Sequence, residues 1–333
     1  MADKSTQSSD TRWRPPFRQL LMALLTLLIA GGALFYASRD TDWAQLQVVI
    51  RNADYRYLLS AAFFLCLLFP LRGLRWYLLL NANGNLERQW TWAMWGVSVA
   101  YLGNMFLPAR AGEVLRTVML GQSEDTNVSY VFATVVVERL LEAVLQIIIF
   151  SLLFSFVVDI SPLLQAGFNT IVVIGVVSVV GLLLLPQLEK PIRLFLGWLP
   201  FGDTLQERIL AMLAQFILGV KGVQNRRVLV GFVAYTVAIT FVEAVALHQT
   251  ALAFDIQIAP LVVLFLYTSL GLSSALPSTP GALGIYQLVA VQVLQPLGYA
   301  DEPVLVFITA FQVLVVGLVA IWGMIGLWQL RDV

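Results

Sequence analysis

Long apolar runs separated by short polar punctuation recur along the whole chain, and each is bounded by Arg, Lys, Asp or Glu. A helix of about 20 apolar residues crosses the ~30 Å hydrocarbon core of a bilayer. The pattern predicts helical spans near 18–37, 57–80, 92–107, 129–158, 168–186, 228–253, 258–276, 281–297 and 303–329. Residues 187–227 break it, because Leu194, Phe195, Leu196, Trp198 and Leu199 mix with Glu207, Arg208 and Lys221. That mixture suits amphipathic helices lying at a cytoplasmic interface. Trp43, Trp90, Trp92, Trp198 and Trp328 fall near proposed span ends, where aromatic side chains meet headgroups. The expected fold class is an all-α polytopic membrane protein with about seven to nine hydrophobic helical segments.

Orientation follows from where Lys and Arg collect. With a cytoplasmic N-terminus, Lys4, Arg12, Arg14, Arg18, Arg72, Arg75, Arg88, Lys190, Arg193, Arg208, Lys221, Arg226, Arg227 and Arg331 lie inside, against Arg39, Arg51 and Arg56 outside. The C-terminus is then cytoplasmic too, and segments 92–120 and 258–297 must each enter and leave on one side. Both are expected to be re-entrant helical hairpins. Leu107-Pro108-Ala109-Arg110-Ala111-Gly112 and Leu276-Pro277-Ser278-Thr279-Pro280-Gly281 supply matching L-P-x-x-x-G breaks. Proline removes an amide donor and glycine relaxes the backbone, so Pro108, Gly112, Pro277, Pro280 and Gly281 are the turn residues. Two such breaks entering from opposite faces predict an inverted repeat around a central substrate site.

Composition narrows the class further. Hydrophobic residues make up 59% and charged residues 12% of 333, which excludes a soluble fold. Formal net charge is zero, so overall charge gives no reason for a nucleic-acid partner. One cysteine, Cys66, and one histidine, His248, leave no cysteine-cluster or multi-histidine metal site, and no cofactor is expected. Residues 1–17 read as a polar cytoplasmic N-terminus, with 18–37 a retained anchor rather than a cleaved signal, and 18–333 as one transmembrane domain.

Charges inside apolar runs carry the chemistry. In residues 104–116, Pro108 and Gly112 end one helix and a new one starts near Ala111, so Arg110, Glu113 and Arg116 recur every three residues. A helix N-terminus with two arginines makes an anion site, and phosphate is the membrane-borne anion that fits it. The plainer alternative is a cytoplasmic loop whose charges are solvated. Glu138 and Glu142 share a face of the 129–158 span, with Arg139 about 100° away; structural pairing and a role in a substrate pathway stand level there. Of Arg72 and Arg75, one snorkels to headgroups, and Arg75 beside Trp76 is the choice for the cavity. Glu243 and His248 lie five residues apart and form no evident relay. Ser273, Ser274 and Ser278 suit backbone satisfaction, while Thr279 sits at a hairpin tip. The candidate substrate-binding residues are Arg75, Asn104, Arg110, Glu113, Arg116, Glu138, Arg139 and Thr279.

At Leu74-Arg75-Trp76, the N-x-x-x-P-x-R-x-G-E-x-x-R run of 104–116, Glu138-Arg139 and Pro277-x-x-Pro280-Gly281-x-x-Gly284, the chain resembles the lysylphosphatidylglycerol synthase transmembrane-region family of flippase-like integral membrane proteins. The resemblance implies a lipid-translocating module of the bacterial inner membrane. It differs from bifunctional members in lacking an aminoacyl-transferase domain before Val333, which puts lysyl-phosphatidylglycerol synthesis in doubt. Gln287 stands where many relatives carry glutamate, so no titrating carboxylate acts there.

The function expected is a flippase or transporter that binds an anionic lipid headgroup, on a phospholipid, a polyprenyl-phosphate-linked lipid or a hopanoid-type lipid. The alternatives are a membrane transferase modifying a headgroup, for which Glu113, Glu138 and His248 are the candidate groups, and a non-catalytic scaffold of a lipid-synthesis complex. With no nucleotide-binding loop or nucleophile motif in view, the chain is expected not to be an enzyme. Its expected partners are a membrane lipid and lipid-synthesis enzymes.

Overall fold

The computed structural model describes residues 53–84, 89–107, 111–122, 127–157, 173, 175–177, 180–181, 184–191, 194, 203–273 and 284–331. The predicted 18–37 span lies outside the described residues, as do most of 168–186, Pro108, Arg110, Pro277, Thr279, Pro280 and Gly281. The described residues are helical: α1 Tyr55–Leu80, α2 Trp90–Phe106, α3 Ala111–Gly121, α4 Val128–Val157, α5 Asp203–Gln224, α6 Arg226–Ala253, α7 Pro260–Ser273, α8 Ile285–Leu294 and α9 Asp301–Gln329. Short 3₁₀ turns occupy Leu185–Leu188 and Gln295–Leu297. By length and composition, α1, α6 and α9 are each able to cross a membrane. The 30-residue α4 is as long but carries Glu138, Arg139 and Glu142.

Local sequence sets where these helices begin. Asp54 caps α1 by accepting the Arg56 amide at 3.0 Å, and Asn225 caps α6 by accepting the Arg227 amide at 3.0 Å. Asp301 and Glu302 place negative charge in the first turn of α9. Gly284, at φ 84°, turns the chain into α8, and Gln287 Oε1 accepts its amide at 2.9 Å. Gln287 thus holds the helix start, and its Nε2 donates to Gln312 Oε1 at 2.8 Å.

α1 packs along α6 and crosses α2, α9 lies against α2, and α3 is wedged between α2 and α4. Small residues permit the close approaches, as is usual where helices meet in lipid. A Cβ on Gly73 of α1 would meet the Met94 backbone of α2 at 2.6 Å. One on Gly112 of α3 would meet the Ala100 carbonyl of α2 at 2.0 Å. One apolar cluster gathers Trp76, Leu79, Leu120, Val131, Val220 and Phe232, a second gathers Leu65, Leu247, Leu266, Leu294 and Phe307, and a smaller third gathers Phe69, Met94 and Val319. α5, inside the stretch expected to be amphipathic, buries Ile217, Val220 and Val223 as it packs on α4. Leu59, Phe63, Phe241 and Val313 stay exposed, as lipid-facing side chains do.

Candidate functional site

Six charged side chains from three helices close into a ring of alternating sign. Glu138 of α4 holds Arg75 of α1 through Oε1 at 2.9 Å and Arg116 of α3 through Oε2 at 2.7 Å. Arg116 also meets Glu113 at 2.6 Å, Glu113 meets Arg139 at 2.8 Å, and Arg139 meets Glu142 at 2.7 Å. Glu142 closes the ring on Arg75 at 3.2 Å. Each carboxylate has two arginine partners and each arginine two carboxylates, so the ring is formally neutral. Moving a lone ion out of water costs several kcal/mol, and this mutual pairing is what offsets the cost.

Local spacing builds the ring. Glu113 and Arg116, like Arg139 and Glu142, are three apart on one helix and pair within it. Glu138 points toward α1 and α3 and ties them to α4. Aromatic and hydroxyl groups fix the arginines from behind: Arg116 lies 4.3 Å over the Trp76 ring, and Arg75 lies 5.1 Å over Phe232 and donates to Thr236 at 3.3 Å. Trp76 in turn donates through Nε1 to Thr134 at 3.2 Å.

The ring has a closed side and an open one. The side chains of Arg75 and Arg116 are 0% exposed and Glu138 is 1% exposed, whereas Arg139 is 23% exposed, flanked by Glu142 at 14% and Glu113 at 13%. Asn104 Nδ2 donates to Glu113 at 3.3 Å on that open side. Beside it, Arg72 pairs with Glu243 of α6, which also accepts the Tyr267 hydroxyl of α7. Tyr101 of α2 stands at both groups, 4.4 Å from Arg72 and 5.8 Å from Arg139.

Arg75, Glu113, Arg116, Glu138 and Arg139, singled out by sequence, therefore meet in one ring with Asn104 at its edge, while Arg110 and Thr279 lie outside the described residues. Arg116 is enclosed by two carboxylates rather than held open at a helix end. Glu142, Arg72 and Glu243 are noted in the sequence without being candidates, and Tyr101 and Tyr267 are not noted. Glu142 had a signal, its shared face with Glu138, and Arg72 had its spacing of three from Arg75. Tyr101 and Tyr267 had none, since both join only through partners on other helices.

Apolar helices around a buried ion network define a polytopic helical membrane protein. The chain belongs to the family described as the lysylphosphatidylglycerol synthase TM region, whose model matches residues 23–323. It is similar to a protein of Haloferax volcanii named "Glycosyltransferase AglD", at 24% identity over 306 residues. The match covers 83% of this chain and 49% of that protein, so the chain spans about half the length of the relative. No solved structure matches it. Family and relative together point to lipid-related work in a membrane. They also correct one expectation: the absence of a familiar catalytic motif suggested a non-enzyme, yet this relative is named for glycosyl transfer.

Proposed function

We propose that the chain binds an anionic lipid headgroup at the open side of the ion ring and carries it between the two leaflets. The observation that supports this most is the contrast within the ring, three enclosed charges against the accessible Arg139, Glu113 and Glu142. A network serving packing alone has no reason to leave one arginine open. If Arg139 turns to a phosphate, Glu113 keeps Arg116 and Glu142 keeps Arg75, so neither carboxylate is stranded. Acyl or prenyl chains would remain in lipid while the headgroup crosses, in an alternating exposure of the open side of the ring. Reconstitution into liposomes with a fluorescent anionic phospholipid, read by quenching of the outer leaflet, tests the reading. Wild-type protein should speed the exchange and Arg139→Gln should slow it; protein-free rates for folded wild type would reject it.

The relative named as a glycosyltransferase supports a second reading, in which the open side of the ring holds a lipid headgroup during transfer of a sugar. Glu113, Glu142 and Glu243 are the carboxylates with access for acid–base work, at 13%, 14% and 12% side-chain exposure. Incubating the detergent-purified protein with a polyprenyl-phosphate sugar, and following the sugar by mass spectrometry, separates chemistry from movement.

A further inference from the structure

We infer that Arg72 and Arg139, gathered at Tyr101, form a two-arginine clamp for a single lipid-borne phosphate group. The inference rests on the headgroup-binding reading above and assigns it a second ligand residue from outside the ring. Of the four arginines in the cluster, Arg72 and Arg139 are the two with access, at 11% and 23% side-chain exposure, against 0% for Arg75 and Arg116. Both sit at one aromatic ring, their guanidinium carbons 4.4 and 5.8 Å from its centroid.

Each is held by carboxylates through its terminal nitrogens. Arg72 meets Glu243 through Nη2, and Arg139 meets Glu113 and Glu142 through Nη2 and Nη1. The Nε atom of each is buried and has no hydrogen-bond partner among the described residues, as is also true of Arg75 and Arg116. Buried polar groups are normally satisfied, and Arg72 and Arg139 are the two of these arginines whose side chains have surface that an outside acceptor can reach. A phosphate group fits, because its oxygens accept from several directions and guanidinium edges match them in pairs. Tyr101 gives both cations one platform, on α2, against which arginines from α1 and α4 rest. The carboxylates hold the arginines in place before the ligand arrives: Glu243, fixed by Tyr267, for Arg72, and Glu113 with Glu142 for Arg139.

The test titrates the purified full chain, in neutral detergent, with dihexanoylphosphatidic acid, with dihexanoylglycerol lacking the phosphate, and with inorganic phosphate, by calorimetry. Phosphatidic acid should bind most tightly; inorganic phosphate binding equally well would overturn the lipid source. Arg72→Gln and Arg139→Gln should each weaken phosphatidic acid by about tenfold or more, since each removes charged hydrogen bonds. Tyr101→Leu should weaken it too, by releasing both arginines. Lys221→Gln, which removes an exposed cation paired at 3.7 Å with Glu189, should bind as wild type; a matching loss there would mean a general charge effect and overturn the clamp. Loss in Arg139→Gln with wild-type affinity in Arg72→Gln would overturn the clamp and leave the headgroup reading standing. Failure of folded wild type to bind phosphatidic acid would overturn both. If a glutamine variant does not elute as a monodisperse species, the lysine variant is titrated instead. It keeps the charge that balances the carboxylates and loses the planar fork, so undiminished binding by both lysine variants would equally overturn the clamp.

Discussion

Replacing Glu138 with leucine takes away the one carboxylate that is fully enclosed in the ion ring, 1% exposed and bonded to two arginines that are 0% exposed. Arg75 would keep Glu142 at 3.2 Å and Arg116 would keep Glu113 at 2.6 Å, so neither cation is left alone. The ring nevertheless acquires a net positive charge on its enclosed side. Breaking a buried pair by removing one partner costs about 3–5 kcal/mol. The variant falls at the upper end, about 5 kcal/mol, because it loses charge and hydrogen bonds together. Glu138→Gln keeps an amide oxygen that accepts from one guanidinium and falls at the lower end, about 3 kcal/mol. Against a whole-protein stability of about 5–15 kcal/mol, either loss is large. Thermal unfolding of the purified protein in detergent, followed by size-exclusion fluorescence, should order the midpoints as wild type, then Glu138→Gln, then Glu138→Leu. Glu138→Leu melting with wild type would show that the ring does not join α1, α3 and α4.

Other substitutions probe other joints of the same structure. Arg75→Lys should lower the unfolding midpoint although the charge is kept, because a lysine head cannot reach Glu138, Glu142 and Thr236 together; an unchanged midpoint would deny that geometry. Gly112→Ala should cost about 1–3 kcal/mol and loosen α3 from α2, since the new Cβ would meet the Ala100 carbonyl at 2.0 Å; cysteine cross-linking between α2 and α3 reads it. Arg139→Ala should lower the midpoint less than Arg75→Ala, because Arg139 is partly exposed whereas Arg75 is fully enclosed and also donates to Thr236. The reverse order would place the structural centre of the ring at Arg139.

Several helices were legible in the sequence to within a few residues. The spans expected at 57–80, 228–253 and 303–329 correspond to Tyr55–Leu80, Arg226–Ala253 and Asp301–Gln329. In lipid every backbone group is satisfied within its own helix, so a one-dimensional hydropathy pattern carries most of the information about where helices run. Charges set in those runs were legible for the same reason, and Arg75, Glu113, Arg116, Glu138 and Arg139 stand together. Their pairing was not legible. Glu138 gave no sign that its partners are Arg75 and Arg116 rather than its neighbour Arg139, which turns instead to Glu113 and Glu142. Arg72, near a span end, reads from sequence as snorkelling to headgroups, and its partner Glu243 lies 171 positions along the chain. Its pairing depends on how α1 lies along α6, which hydropathy does not encode.

The central claim is that the open side of the ring handles a lipid headgroup in the course of moving it across the membrane. Leaflet exchange of a fluorescent anionic phospholipid in liposomes, compared between wild type and Arg139→Gln with equal amounts of folded protein, tests it most directly. Fast exchange by wild type and a rate close to that of empty liposomes for the variant are expected. Equal rates for the two proteins would contradict it.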